Sequence, residues 1–188
     1  SRRFEGDHLL TQHDIVEQRQ HADAVCFGGW ALDLHPADGV YSEKPSCNQW
    51  HSRGVYQIPY RCFYSRNIGN LFLAGRIFSA THVAFSSTRV QGTLGHAAQA
   101  VGAAAASCLS HHCEPRELLQ AERMDELQNK LLRLGQYIPG VVQKDPQDVA
   151  QLATISASSS LTLHSLPKDG PRLVLHDSWA QMLPVSDG

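Results

Sequence analysis

Between residues 70 and 91 the chain reads NLFLAGRIFSATHVAFSSTRVQ, and after Gly75 it gathers Arg76, Ser79, Thr81, His82, Ser86, Ser87, Thr88 and Arg89. Guanidinium groups attract anions and electron-rich oxygens, and serine and threonine hydroxyls both donate and accept hydrogen bonds. His82 is the side chain of this stretch whose proton can exchange near neutral pH. The chemistry on offer is that of holding a charged or strongly polar ligand with a proton-exchanging group beside it. Helix caps and solvated loop arginines use the same residue types, so the elements around them decide what the polar groups are for.

Asn70 to Ala74 (NLFLA) is expected to be a strand buried on both faces, ended by Gly75. From Gln91 to Leu109 an Ala-rich stretch is expected to be helical, although Gly92, Gly95 and Gly102 each cost about 1 kcal/mol against Ala. Glycines at that density predict another element packed close against the helix. Its N-terminus, near Val90 to Thr93, would leave unpaired N–H groups and a partial positive charge that favour anionic or electron-rich groups. Strand, glycine turn, polar loop and small-residue helix form a unit of the kind that binds a cofactor at the carboxyl end of a sheet.

Upstream, Thr11 followed by Asp14 marks a helix start, with an amphipathic helix expected to about Ala22. Ala24 to Phe27 is an apolar run ending on Gly28 and Gly29, which predict a bend or a close approach. Trp30 to His35 alternates as a half-buried strand, 36–54 is an aperiodic functional loop or cover, and Val55 to Tyr64 resumes strand chemistry with Pro59 at an edge or kink. Glu114-Pro115 opens a further helical stretch, in which Leu127, Leu131 and Leu134 share a face before Gly135. Gly140 to Pro146 reads as a linker. Short β-like runs follow from Val149, among them RLVLHDSW, giving two domains: 1–144, and 145–188 as the start of a β-rich module.

The 188 residues carry 42% hydrophobic and 18% charged side chains, a globular balance. A net charge of -2 offers no basic surface for nucleic acid or an anionic membrane, and no run of 18 apolar residues would span one. A small-molecule substrate is the expected partner. Five cysteines without close paired spacing suit reduced thiols, which favours a reducing, cytoplasmic compartment. The chain opens on Ser1 without Met and reads as an excised piece.

Cys108, His111, His112 and Cys113 are metal-ligand types, yet they lack the two separated pairs of a structural zinc site, and histidines at a helix C-terminus suit its dipole. No metal site is expected. Cys62 beside Arg61 could be an activated thiol or a small core hydrophobe. Trp50, in the irregular loop, is the aromatic that points towards function. No G-x-S-x-G elbow supports hydrolase chemistry through Ser86 or Ser87.

Tyr56, Ile58 to Arg61, Asn70, Leu71, Ala74 to Arg76, Ser79, Thr81, His82, Ala84, Ser87, Arg89 and Val90 match a long pattern, Y-x-I-P-Y-R followed by N-L-x-x-A-G-R-x-x-S-x-T-H-x-A-x-x-S-x-R-V and an Ala/Gly-rich helix. Over roughly residues 1–140 the chain resembles the C-terminal half of FAD-dependent oxidoreductases related to the glutathione-reductase and fumarate-reductase flavoproteins. The resemblance implies an α/β fold (α+β for the isolated piece), the C-terminal part of a Rossmann-like FAD domain. It implies FAD as cofactor, with Ala74, Gly75, Arg76 and Ser79 by the pyrophosphate and ribityl chain, and Ser87, Thr88, Val90, Gln91 and Gly92 leading to the flavin's pyrimidine edge. His82 and Arg89 become the candidate catalytic groups on the substrate side of a hydride transfer. A complete enzyme also needs G-x-G-x-x-G, which is absent here, so the isolated piece is expected to bind FAD weakly and to be inactive. The competing reading is a non-catalytic carbohydrate-associated or interaction protein on a degenerate flavoprotein scaffold.

Overall fold

Thr11 begins the first helix: the Asp14 carboxylate accepts its backbone N–H at 2.7 Å and its hydroxyl at 2.8 Å, fixing the entry into α1 (Gln12–Val16). This computed structural model describes residues 4–159, and the chain divides into two units, Ser1–Lys144 and Asp145–Gly188. α1 is shorter than expected. Gln18 turns left-handed (φ 55°) and its amide donates to the Ile15 carbonyl, so the helix stops well before Ala22.

β1 (Ala24–Gly28) pairs antiparallel with β4 (Tyr56–Pro59), Cys26 opposite Ile58 and Gly28 opposite Tyr56. Gly28 is required there because a Cβ would lie 2.3 Å from the Tyr56 hydroxyl; the close approach is made by a side chain. β2 (Leu32–Leu34) pairs with β3 (Asn48–Trp50), so the long loop holds a short strand. All three β3 residues are exposed, and without a buried face they show no alternation in the sequence. The strand from Val55 stops at Pro59, and Tyr60–Cys62 turn as a 3-10 helix.

Asn70–Ala74 is not a strand. Tyr64 and Phe72 form an isolated antiparallel bridge, Leu73 is fully buried with its N–H on the Phe63 carbonyl at 2.7 Å, and Ala74 is exposed. Apolar content came from one buried anchor with half-buried neighbours. Gly75–Ile77 follow as a 3-10 turn, and Gly75 takes φ 62°, a conformation that favours glycine.

α2 (His82–Thr88) is capped by Thr81, whose hydroxyl accepts from Ala84 N, and packs on β2. α3 (Gln91–His111) packs against β1, burying Ala97, Ala100 and Ala104, and α4 (Ala121–Arg133) adds Met124, Leu127 and Leu131 to the same core. Each fully buried leucine is worth about 1.5–3 kcal/mol. A 3-10 turn, Pro115–Leu119, occupies the first part of the stretch expected to be helical. The edge of β1 facing α4 needs no further strand: Gln128 donates to the Ala22 and Ala24 carbonyls at 2.9 Å, and Gln136 donates to that of Val25.

The described residues mix helices with small sheets, as an α/β chain does, and their named strands form two antiparallel pairs. Nothing among the described residues packs within 4 Å of where a Cβ would stand on Gly92, Gly95 or Gly102, contrary to the close contact expected; these glycines lie on the exposed face of α3. In the second unit the described residues hold a 3-10 turn, Val149–Leu152, and no strand. The β-like run at 172–179 lies outside the described residues.

Candidate functional site

Two elements bring the polar segment to one place. The Gly75–Ile77 turn lies against α3, and only Arg89 and Val90 separate the end of α2 at Thr88 from the start of α3 at Gln91. Val90 is an extended N-cap without a hydroxyl or carboxylate, and no side chain caps the helix. A 21-residue helix therefore presents its first-turn N–H groups uncapped, together with the positive end of its dipole. A Cβ built on Gly75 or Gly92 meets nothing within 4 Å, so both backbones are open to approach.

The eleven residues singled out from the sequence divide by exposure. Ala74, Arg76, His82, Gln91 and Gly92 are exposed, and Gly75, Arg89 and Val90 are half-buried. The Arg76 guanidinium sits 5.4 Å from the centroid of the Phe85 ring, a cation–π contact that lays it along α2. Ser79, Ser87 and Thr88 are buried. Ser87 Oγ donates to the Trp30 carbonyl at 2.5 Å and shares a 2.6 Å hydrogen bond with the Tyr56 hydroxyl, locking α2 to the strands beneath. Ser79 Oγ and Thr88 Oγ1 are buried without a hydrogen-bond partner. A buried hydroxyl left unpaired costs about 1–3 kcal/mol.

Arg89 is held from below. Its Nη2 donates to Asp33 Oδ2 at 2.9 Å, and Asp33 lies on β2 with its side chain 12% exposed. Asp33 positions this site and was missed in the sequence; Tyr56, part of the matched pattern, supports it through Ser87. Asp33 alternates within β2, as a solvent-facing carboxylate would, and its partner is 56 residues away. Burial pushes the Tyr56 hydroxyl well above its ordinary range, so it stays protonated.

The other candidates sort differently. Cys62 is fully buried and burial raises its thiol far above the usual range, so it packs as a small hydrophobe. Cys108 is pushed up to about 12 by burial and by the neighbouring Cys113, and His111 Nε2 pairs with Glu126 at 3.0 Å. Trp50 is half-exposed on β3. Concave hollows lined by Asp125, Gln128, Asn129, Gly140, Val141, Val142 and Lys144, and by residues between His35 and Ser46, include none of the eleven residues.

An open glycine turn thus lies beside an uncapped helix N-terminus flanked by arginine and histidine, an arrangement whose charge and free N–H groups suit an anionic or electron-rich ligand. Residues 1–131 match the family model described as FAD dependent oxidoreductase, and the chain belongs to that family. No curated protein and no solved structure matches it. The family implies FAD as cofactor and oxidoreductase activity in general. The residues present suit such a group: the open Gly75 and Gly92 backbones and the uncapped α3 N–H groups offer donors and positive potential to a pyrophosphate or an electron-rich ring edge.

Proposed function

We propose that residues 1–144 form the flavin-end, C-terminal part of a Rossmann-like flavoprotein fold related to the glutathione-reductase and fumarate-reductase type, with 145–188 as a separate appended segment. In this reading FAD, when bound, exchanges a hydride with a small-molecule substrate. Gly75 and Arg76 hold the polar chain of the cofactor, Gly75 by close backbone approach and Arg76 by charge. The N–H groups of Gln91 and Gly92 face negative charge and favour its accumulation there. His82, exposed on the first turn of α2, exchanges the proton that accompanies the reaction, and Arg89, fixed by Asp33, orients the substrate. With a net charge of -2 the partner is a small molecule and not nucleic acid.

The observation that carries this reading is the uncapped start of α3 beside the open Gly75 turn. The test is the visible absorbance spectrum of the intact protein after reconstitution with FAD. A flavin spectrum at one equivalent per chain, bleached on addition of reductant, is expected. A colourless protein that retains no FAD would contradict the proposal and favour a non-catalytic scaffold.

A further inference from the structure

Away from the cradle, three side chains converge from different elements. His8 precedes the Leu10–Ala80 bridge, Asp14 lies in the first turn of α1, and His21 sits two residues before Asp23 at the entry to β1. One ligand atom from each lies within 4.8 Å of the others. His8 Nε2 is 3.5 Å from Asp14 Oδ2, and His21 Nε2 is 3.7 Å from Asp14 Oδ1. The two imidazole rings meet edge to face at 5.1 Å.

Hydrogen bonding does not account for this arrangement. His8 Nε2, Asp14 Oδ1 and His21 Nε2 are all buried and all lack a hydrogen-bond partner. The His21 side chain is 8% exposed and that of Asp14 1%. Three orphaned polar atoms aimed at one point carry a penalty of about 1–3 kcal/mol each, which a shared cation would remove. Tetrahedral zinc, at about 2.0–2.2 Å from nitrogen and oxygen, sets ligand atoms about 3.4 Å apart, close to the 3.7 Å between His21 Nε2 and Asp14 Oδ1, while His8 Nε2 lies 3.5 Å from the other oxygen of the same carboxylate.

The ligands are also held from behind. Asp14 Oδ2 accepts the N–H and hydroxyl of Thr11, leaving Oδ1 to point inwards. His21 N donates to Gln57 Oε1 at 2.6 Å, and His8 N donates to the Arg61 carbonyl at 3.2 Å. Such outer contacts fix the orientation that metal ligands need. Arg19 Nη1 lies 3.6 Å from Asp14 Oδ1, but its side chain is half-exposed and its Nε is bonded to Glu17 at 2.8 Å, so it can leave with Glu17 into solvent.

We infer that His8, Asp14 and His21 form a binding site for a divalent transition-metal ion of the zinc class. Two imidazoles and a carboxylate select zinc-like ions over calcium or magnesium, which prefer all-oxygen sites. His8, the most exposed of the three at 23%, lies on the entry path, and the fourth position is left for water.

The test is calorimetric titration of the protein with zinc chloride, alongside His8→Ala, His21→Ala and Cys108→Ser/Cys113→Ser variants. One equivalent per chain is expected, weakened about 100-fold or more by either histidine substitution, beyond the 10–100-fold typical of outer-shell changes, and untouched in the cysteine double variant. A melting temperature that rises with zinc and saturates at one equivalent would accompany it. Should a histidine variant not fold, zinc X-ray absorption on the wild type decides: nitrogen and oxygen neighbours support the site, sulfur neighbours overturn it. No zinc binding by the wild type, or binding unchanged in the histidine variants, would also overturn it.

Discussion

The two ends of α3 are finished in opposite ways. At the C-terminal end the chain adopts a left-handed turn at His112 (φ 49°), and the N–H of Cys113 closes back on the Cys108 carbonyl at 3.0 Å. A non-glycine residue in that conformation costs about 1–2 kcal/mol, and the helix accepts it to satisfy its last carbonyls. His111 adds an ion pair to Glu126, and Arg116 from the following 3-10 turn reaches across to Asp7. At the N-terminal end there is no capping side chain, an open Gly92 and an exposed Gln91. A serine or aspartate at Val90 would stabilise the helix by about 0.5–2 kcal/mol. The fold closes one end of this helix and leaves the other open, which supports the proposal that the open end serves a ligand.

On the proposed function, the closed side is a matter of packing and the open side a matter of ligand. Leu131→Ala, at a fully buried position of α4, is expected to cost about 2–5 kcal/mol in denaturant unfolding. In FAD-loaded protein it should leave the reduction rate per folded molecule unchanged; a lower rate would blur the division. Arg89→Ala stands between the two sides. Loss of its half-exposed pair with Asp33 is expected to cost only about 1 kcal/mol, while the reduction rate falls about 100-fold, the kinetic equivalent of ~2.7 kcal/mol. A melting loss with unchanged kinetics would make Arg89 a strut.

The smallest effect belongs to Asp7. Hydrogen bonds from Arg116 foremost, and then from the Tyr64 hydroxyl, hold its carboxyl below the usual carboxylate value against the opposing push of burial. A lowered folded-state pKa adds stability that is present above the unfolded value and is lost as pH falls through the folded one. Asp7→Asn should therefore cost under about 1 kcal/mol at neutral pH, and the difference from wild type should fade as pH drops below about 4. A difference that persists at lower pH would show that the carboxylate's charge is not what matters.

Local patterns in the sequence located Gln91–Leu109, the Gly75 turn and the Thr11 start because each is written within a few residues. Composition likewise singled out the polar stretch 74–92, to which the proposed function assigns the ligand. Apart from the early stop of α1 at Gln18, what failed depended on distant partners. Asn70–Ala74 has the apolar content of a strand but finds only the Tyr64–Phe72 bridge to pair with. β3 is a strand solely because β2 lies beside it. The same limit hid the support of the site: Asp33 beneath Arg89 and Tyr56 beneath Ser87 are separated from their partners by 56 and 31 residues. Asp14 was accounted for by its helix cap, which left its second oxygen, and the two histidines around it, unread.

The most direct test of the account is Gly92→Asp, followed by titration of the intact protein with FAD and by thermal unfolding without it. The position has room for a side chain, and a carboxylate in the first turn suits the helix dipole by about 0.3–1 kcal/mol. The same carboxylate would stand where an electron-rich ligand must approach. The account predicts a melting temperature equal to or above that of the wild type together with FAD affinity reduced about ten-fold or more, ~1.4 kcal/mol or greater. Unchanged FAD affinity with the aspartate in place would contradict the assignment of this helix end to the cofactor.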